Sequence, residues 1–156
     1  MKLHRILLLM LGLACLCSCK DKDTQALSQI LKTFGMTIPD DQHAFVVIPV
    51  HSCTGCVKLT WDVLESEGEN DPSKRITVID AYRSGKDPFR KEVVFPVYID
   101  STYIIEGSPM NLSNPTVIRT EKRRVKSIVS APTNRVKETL LEQINGTVVE
   151  PSKEKD

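Results

Sequence analysis

The stretch AFVVIPVHSCTGCVKLTWDVL, residues 44–64, decides the fold. Ala44 to Ile48 is apolar and rich in β-branched residues, as expected of a strand covered on both faces. Val57, Leu59, Trp61, Val63 and Leu64 then read as a helix to about Glu67. Between the two lie His51, Ser52 and Cys53-Thr54-Gly55-Cys56. A CxxC that leaves a buried strand and opens a helix places its first sulfur at the helix N-terminus, where unpaired N–H groups and the helix dipole favour thiolate. Two intervening residues put the second sulfur one turn along, close enough to attack a mixed disulfide at the first.

Working outward, residues 68–74 form a loop and residues 75–81, RITVIDA, a second buried strand. A turn is expected over Ser84 to Asp87, a short helix over Pro88 to Val93 and an extended segment over Phe95 to Asp100. A strand beginning at Asn114-Pro115 turns at Glu121-Lys122-Arg123 and returns as Val125 to Val129. Val136, Leu140, Leu141 and Ile144 stripe a closing helix from about Asn134. Upstream, Leu27, Ile30, Leu31 and Phe34 recur at helical spacing, with Asp23 or Thr24 as cap and Gly35 as stop. This alternation predicts one α/β domain over residues 24–145, followed by a polar tail, 146–156.

The chain has 156 residues, with 21 Lys plus Arg against 20 Asp plus Glu, so it holds one modest domain and lacks the basic excess of a nucleic-acid binder. A core of this size needs neither metal nor disulfide staples. Its cysteines fall in two groups: Cys15, Cys17 and Cys19, then Cys53 and Cys56. Lys2 and Arg5 precede an apolar run from Ile6 to Leu16, which is shorter than the roughly 20 residues of a membrane span and suits an export signal. Leu16-Cys17-Ser18-Cys19 resembles the bacterial lipobox. That resemblance implies that residues 1–18 are a removed signal peptide, that Cys19 is acylated, and that residues 19–23 carry the lipid and a short spacer. A thioether-linked diacylglycerol and an amide-linked chain together supply the two lipid signals that stable anchoring needs. Cys15 is the weaker acceptor, because Gly12 rather than Leu sits three residues before it. Processing would leave the odd count of cysteines as one lipid site and one pair, in an extracytoplasmic, membrane-anchored protein on the periplasmic face or cell surface.

A structural zinc site wants four ligands, and besides the two thiols the mature chain offers only His43 and His51, so neither metal nor cofactor is expected. Copper-chaperone chemistry lacks a later histidine, and peroxiredoxin chemistry would want a threonine where Val50 stands. A permanent disulfide remains the alternative, since export permits it. Closing so short a loop, however, restrains the unfolded chain little.

From about Ala44 to Ile144 the chain resembles the thioredoxin-like superfamily, most closely its TlpA/ResA-type membrane-anchored branch. The resemblance rests on Cys53-Thr54-Gly55-Cys56 after a buried strand, Phe95-Pro96-Val97-Tyr98-Ile99-Asp100, and Asn114-Pro115-Thr116-Val117-Ile118 entering the final hairpin. It implies an α/β thioredoxin-like fold with a central mixed sheet flanked by helices. It also implies Cys53 as attacking thiolate, Cys56 as resolving thiol, and a cis Pro115 that leaves Asn114 backbone groups to pair with a substrate strand. The implied partners are exported thiol or disulfide proteins and a membrane electron donor. The implied activity is thiol–disulfide exchange in the reducing direction, with an oxidant or isomerase left open. The alternative is a thioredoxin-fold lipoprotein that binds partners and keeps a structural disulfide.

The chain departs from the family in three places. His51 and Ser52 stand where an aromatic residue is usual, and a protonated His51 would favour the thiolate. The strand before the CxxC lacks a buried acid, leaving Glu65, Glu67 and Asp80 as substitutes. The final hairpin has Glu121-Lys122-Arg123-Arg124 where a glycine-containing turn is common, and reads as a solvated turn.

Overall fold

Asp21 starts the first helix: its Oδ1 accepts from the Asp23 N–H, and α1 runs Lys22–Thr33. The computed structural model describes residues 21–146; the expected signal peptide over residues 1–18, the expected lipid site Cys19 and residues 147–156 lie outside the described residues. The expected caps, Asp23 and Thr24, are instead inside the helix. Thr24 is committed elsewhere, its hydroxyl accepting the Val125 N–H at 3.0 Å. At the other end Gly35 adopts φ +70°, its N–H bonding Lys32 O while the Met36 N–H reaches back to Leu31 O. These two bonds form a Schellman stop, which favours glycine because it carries no Cβ.

The remaining elements are β1 (His43–Ile48), α2 (Thr54–Asn70), β2 (Ile76–Asp80), a 3₁₀ turn (Tyr82–Gly85), β3 (Val97–Ile99), β4 (Thr116–Glu121), β5 (Arg124–Ser130) and α3 (Val136–Ile144). The sheet order is β3-β2-β1-β4-β5. β1, β2 and β3 run parallel, β4 is antiparallel to β1, and β5 is antiparallel to β4. Because strand side chains alternate, β1 feeds two cores. Ala44, Val46 and Ile48 pack with Val57, Trp61, Leu64 and Leu140 of α2 and α3. Phe45 and Val47 pack with Leu27, Ile30 and Leu31 of α1. Full burial of each such large side chain is worth about 1.5–3 kcal/mol. β1, buried from Ala44 to Ile48, and the uniformly buried β2 thus form the centre of an α/β mixed sheet with helices on both faces.

Residues 88–93 form no helix, contrary to expectation. Side chains in this part of the chain are tied to other elements: Asp87 accepts from Trp61 Nε1 and the Phe89 N–H, Arg90 pairs with Asp80, and Lys91 pairs with Asp62 and Glu65. Its helical turn lies earlier, at Tyr82–Gly85. α2 also outruns its expected end by three residues, to Asn70. In the final hairpin both Lys122 and Arg123 have positive φ, 51° and 59°, the backbone of a type I′ turn that normally selects Gly or Asn. Their N–H groups donate to Asp40 O and Pro39 O, so the preceding loop holds the turn.

Candidate redox site

The register fixes where the chemistry sits. Ile48 is aligned with Asp80, and Val47 with Thr116. The C-terminal ends of β1 and β2 and the start of β4 therefore share one end of the sheet. The loop carrying His51, Ser52 and Cys53 emerges there, opposite Asn114 and Pro115.

Cys53 is the N-cap of α2, with extended backbone at φ −64° and ψ 141°. Its Sγ accepts the Cys56 N–H at 3.0 Å, and its carbonyl accepts from the Val57 N–H at 3.0 Å. Cys53 and Cys56 are joined as a disulfide, with S–S 2.08 Å and Cα–Cα 5.1 Å. The two halves of the bond face different surroundings: Cys53 is exposed, whereas Cys56 is 1% exposed and packs in the core cluster that contains Val57 and Trp61. Partner hydroxyls brace the motif. Thr60 Oγ1 donates to Cys56 O at 2.8 Å, and Thr54 Oγ1 lies 3.3 Å from the Tyr82 hydroxyl.

Ser52 is buried, at 6% exposure, and its hydroxyl has no hydrogen-bond partner. Among the described residues only Ser108 Oγ shares that condition. A buried group left unpaired in this way costs about 1–3 kcal/mol. His51 turns outward; it is 76% exposed and its Nε2 lies 3.1 Å from Glu106 Oε1. Sequence reasoning did not find Glu106, because it lies 55 residues away in a segment without periodicity.

That segment is organised by Asp100, which is fully buried. Its Oδ1 accepts the Thr102 N–H and hydroxyl, its Oδ2 accepts the Ile105 N–H at 2.8 Å, and its own N–H donates to Asp80 O. The aspartate closing the Phe95-to-Asp100 motif thus works as the peg around which the loop toward Glu106 is wound. Tyr103 is exposed in this loop with φ +60°.

Of the three acids that could stand near the sulfurs, Asp80 lies at their end of the sheet and is 0% exposed. Glu65 and Glu67 sit far along α2, about 18 and 21 Å from Cys53 at about 1.5 Å per helical residue. There they pair with Lys91 and Lys74. Asp80 accepts from the Tyr82 N–H at 3.0 Å and from Arg90 Nε at 2.9 Å. Burial pushes its carboxyl above the ordinary value, more than the Arg90 guanidinium pulls it down.

Pro115 is buried, and its carbonyl accepts the Ala131 N–H at 2.8 Å. The Asn114 carbonyl accepts from Thr116 Oγ1, also at 2.8 Å. The cis bond implied by the family resemblance is absent: among the described residues every peptide is trans, including Asn114–Pro115. Trans is the lower-energy isomer of an X–Pro bond by about 0.5–1 kcal/mol, and the Pro115 and Asn114 carbonyls are satisfied in that conformation.

Among the described residues no group of three or more His, Cys, Asp or Glu side chains is placed to hold a metal, and no helix is long and apolar enough to cross a membrane. A cavity of about 380 Å³, bordered by His43, Arg75 and Arg119, opens at the other end of the sheet.

A central strand leading into a disulfide-bonded CxxC at a helix N-terminus, within a β3-β2-β1-β4-β5 mixed sheet flanked by three helices, defines a thioredoxin-like fold. The chain matches no family model, no curated protein and no solved structure.

Proposed function

We propose that this protein is a lipid-anchored, extracytoplasmic thiol–disulfide oxidoreductase that exchanges disulfides with exported proteins. The observation that carries the reading is the asymmetric bond at the α2 N-terminus, with exposed Cys53 joined to buried Cys56. Reduced, Cys53 benefits from the Cys56 N–H and the helix dipole as a thiolate. It attacks one sulfur of a partner disulfide, forming a mixed disulfide and expelling the partner's other sulfur as thiolate. Cys56 then loses its proton and attacks Cys53 Sγ, which reforms the Cys53–Cys56 bond and releases the partner's second sulfur. Two electrons pass to the partner, whose thiolates take up two protons. The thiols carry these electrons themselves, without a cofactor. Asn114 and Pro115, opposite the motif across the sheet end, line the approach of the partner strand.

Family resemblance favours the reducing direction, with a membrane electron donor restoring the dithiol. The N-terminal reading supports the lipid anchor at Cys19 and the location outside the cytoplasm. An insulin-reduction assay tests the mechanism: the wild type should be active, and Cys53→Ser and Cys56→Ser inactive. Equal activity in all three would refute dithiol exchange. A bond that stays intact in modest reductant would point to the binding module with a structural disulfide.

A further inference from the structure

The cavity of about 380 Å³ lies at the end of the sheet away from the disulfide, with arginines on two sides of Ala44. Ala44 lines it with a single methyl, which leaves the space open. Arg119 of β4 is the direct cross-strand partner of Ala44, so their side chains share a face of the sheet. Toward β2, the Ala44 N–H donates to Arg75 O at 2.9 Å, and Arg75 also lines the cavity. Ile144, at the end of α3, adds an apolar patch.

The charges lining this cavity do not cancel. Arg75 pairs with Asp41, the only acid lining the cavity among the described residues, and both side chains are exposed. Arg119 is half-buried, and among the described residues its guanidinium has no hydrogen-bond acceptor and no acid. It lies beside the end of α3, where a Cβ on Gly146 would stand 3.3 Å from Arg119 Nη2. His43 Nε2 is 2.8 Å from Thr77 Oγ1; burial, with Arg75 nearby, lowers its pKa below 6.5, so at neutral pH the ring adds little charge. One guanidinium charge and its fork of N–H donors are left over.

We infer that this cavity binds a small organic carboxylate, its two oxygens taken by the Arg119 guanidinium and its hydrocarbon part laid on Ala44 and Ile144. A guanidinium matches a carboxylate through two parallel N–H···O bonds. A carboxylate brings one negative charge to the one positive charge left uncompensated, whereas a phosphate monoester brings about −1.5 to −2 at pH 7. The volume lies near the lower bound of ligand pockets, about 300–1,000 Å³, and suits a molecule of few carbons. The cavity and the disulfide sit at opposite ends of the sheet, so this site stands whether or not the exchange reading holds.

The test titrates the oxidised full chain with sodium butyrate and follows backbone amides by NMR, with sodium chloride at matched ionic strength as control. The Ala44 and Arg119 amides should shift saturably with butyrate and not with chloride, while the Cys53 and Cys56 amides stay in place. Formate, which lacks the hydrocarbon part, should bind several-fold more weakly, and glycerol 3-phosphate no more tightly than butyrate. Arg119→Gln should weaken butyrate at least about tenfold, because a hydrogen bond to a charged group is lost, while its melting temperature without ligand stays that of wild type. Arg75→Gln, at the exposed side of the cavity, should weaken butyrate by a smaller factor and serves as the second variant. Shifts that do not saturate, or that chloride reproduces, would overturn the inference. So would butyrate binding unchanged in both variants, equal binding of formate, or tighter binding of glycerol 3-phosphate.

Discussion

Replacing Arg90 with methionine should destabilise the protein by about 3 kcal/mol at neutral pH. The Asp80 carboxylate is 0% exposed and its charge is met by Arg90, with the Tyr82 N–H as a further donor. Removing one member of a buried pair costs about 3–5 kcal/mol, because the other is left charged and unpaired. Arg90 is 27% exposed, so water reaches that side and places the loss at the lower end. The pH dependence carries the diagnostic sign. Burial already raises the Asp80 carboxyl above its ordinary value, and loss of the guanidinium raises it further. A group bound to its proton more tightly in the folded state contributes stability below its unfolded pKa, about 3.9, and loses it as pH rises through the folded value. Arg90→Met should therefore lose far more at about pH 7 than at about pH 4.5. Urea unfolding at both values checks this, and the neutral-pH melting temperature should fall by about 12 °C, at roughly 4 °C per kcal/mol for a domain of this size. An Asp80→Asn, Arg90→Met double variant should recover part of the loss. Equal losses at the two pH values, or a loss below about 1 kcal/mol, would refute the reasoning.

Gly35→Ala should cost about 1 kcal/mol by calorimetry, because a Cβ is strained at φ +70° and the Schellman stop depends on that conformation. Leu27→Ala, at 0% exposure between α1 and the sheet, should cost about 2–5 kcal/mol in urea unfolding. Burial, with Arg75 nearby, depresses the His43 pKa below 6.5. His43 therefore contributes stability above 6.5 that is lost as pH falls through the folded value, and His43→Gln should flatten the stability profile in that window.

The central elements were legible in the sequence because burial on both faces leaves a plain signature. Ala44 to Ile48 and Arg75 to Ala81 could be read as strands from their apolar runs, and the stripe on α2 followed from Val57, Trp61 and Leu64. Residues 88–93 were misread because side-chain commitments in and beside them decide their conformation: Trp61 to Asp87 and Arg90 to Asp80 are pairings over sequence separations of 26 and 10. The α1 cap was displaced for a related reason, since Thr24 serves a strand 101 residues away. At the site, the CxxC and its place at a helix N-terminus could be read from local order. Glu106 opposite His51 and the orphaned Ser52 hydroxyl could not, because both depend on which surfaces the irregular segments cover. Asp80 was one of three acids that spacing left equal, and β-sheet register separated it from Glu65 and Glu67.

The central claim is that Cys53–Cys56 is an exchangeable bond. Its equilibrium potential in glutathione buffers tests this most directly. A value between about −270 and −120 mV, where known exchange proteins lie, is the predicted result. A value below about −300 mV would mark a structural bond and contradict it.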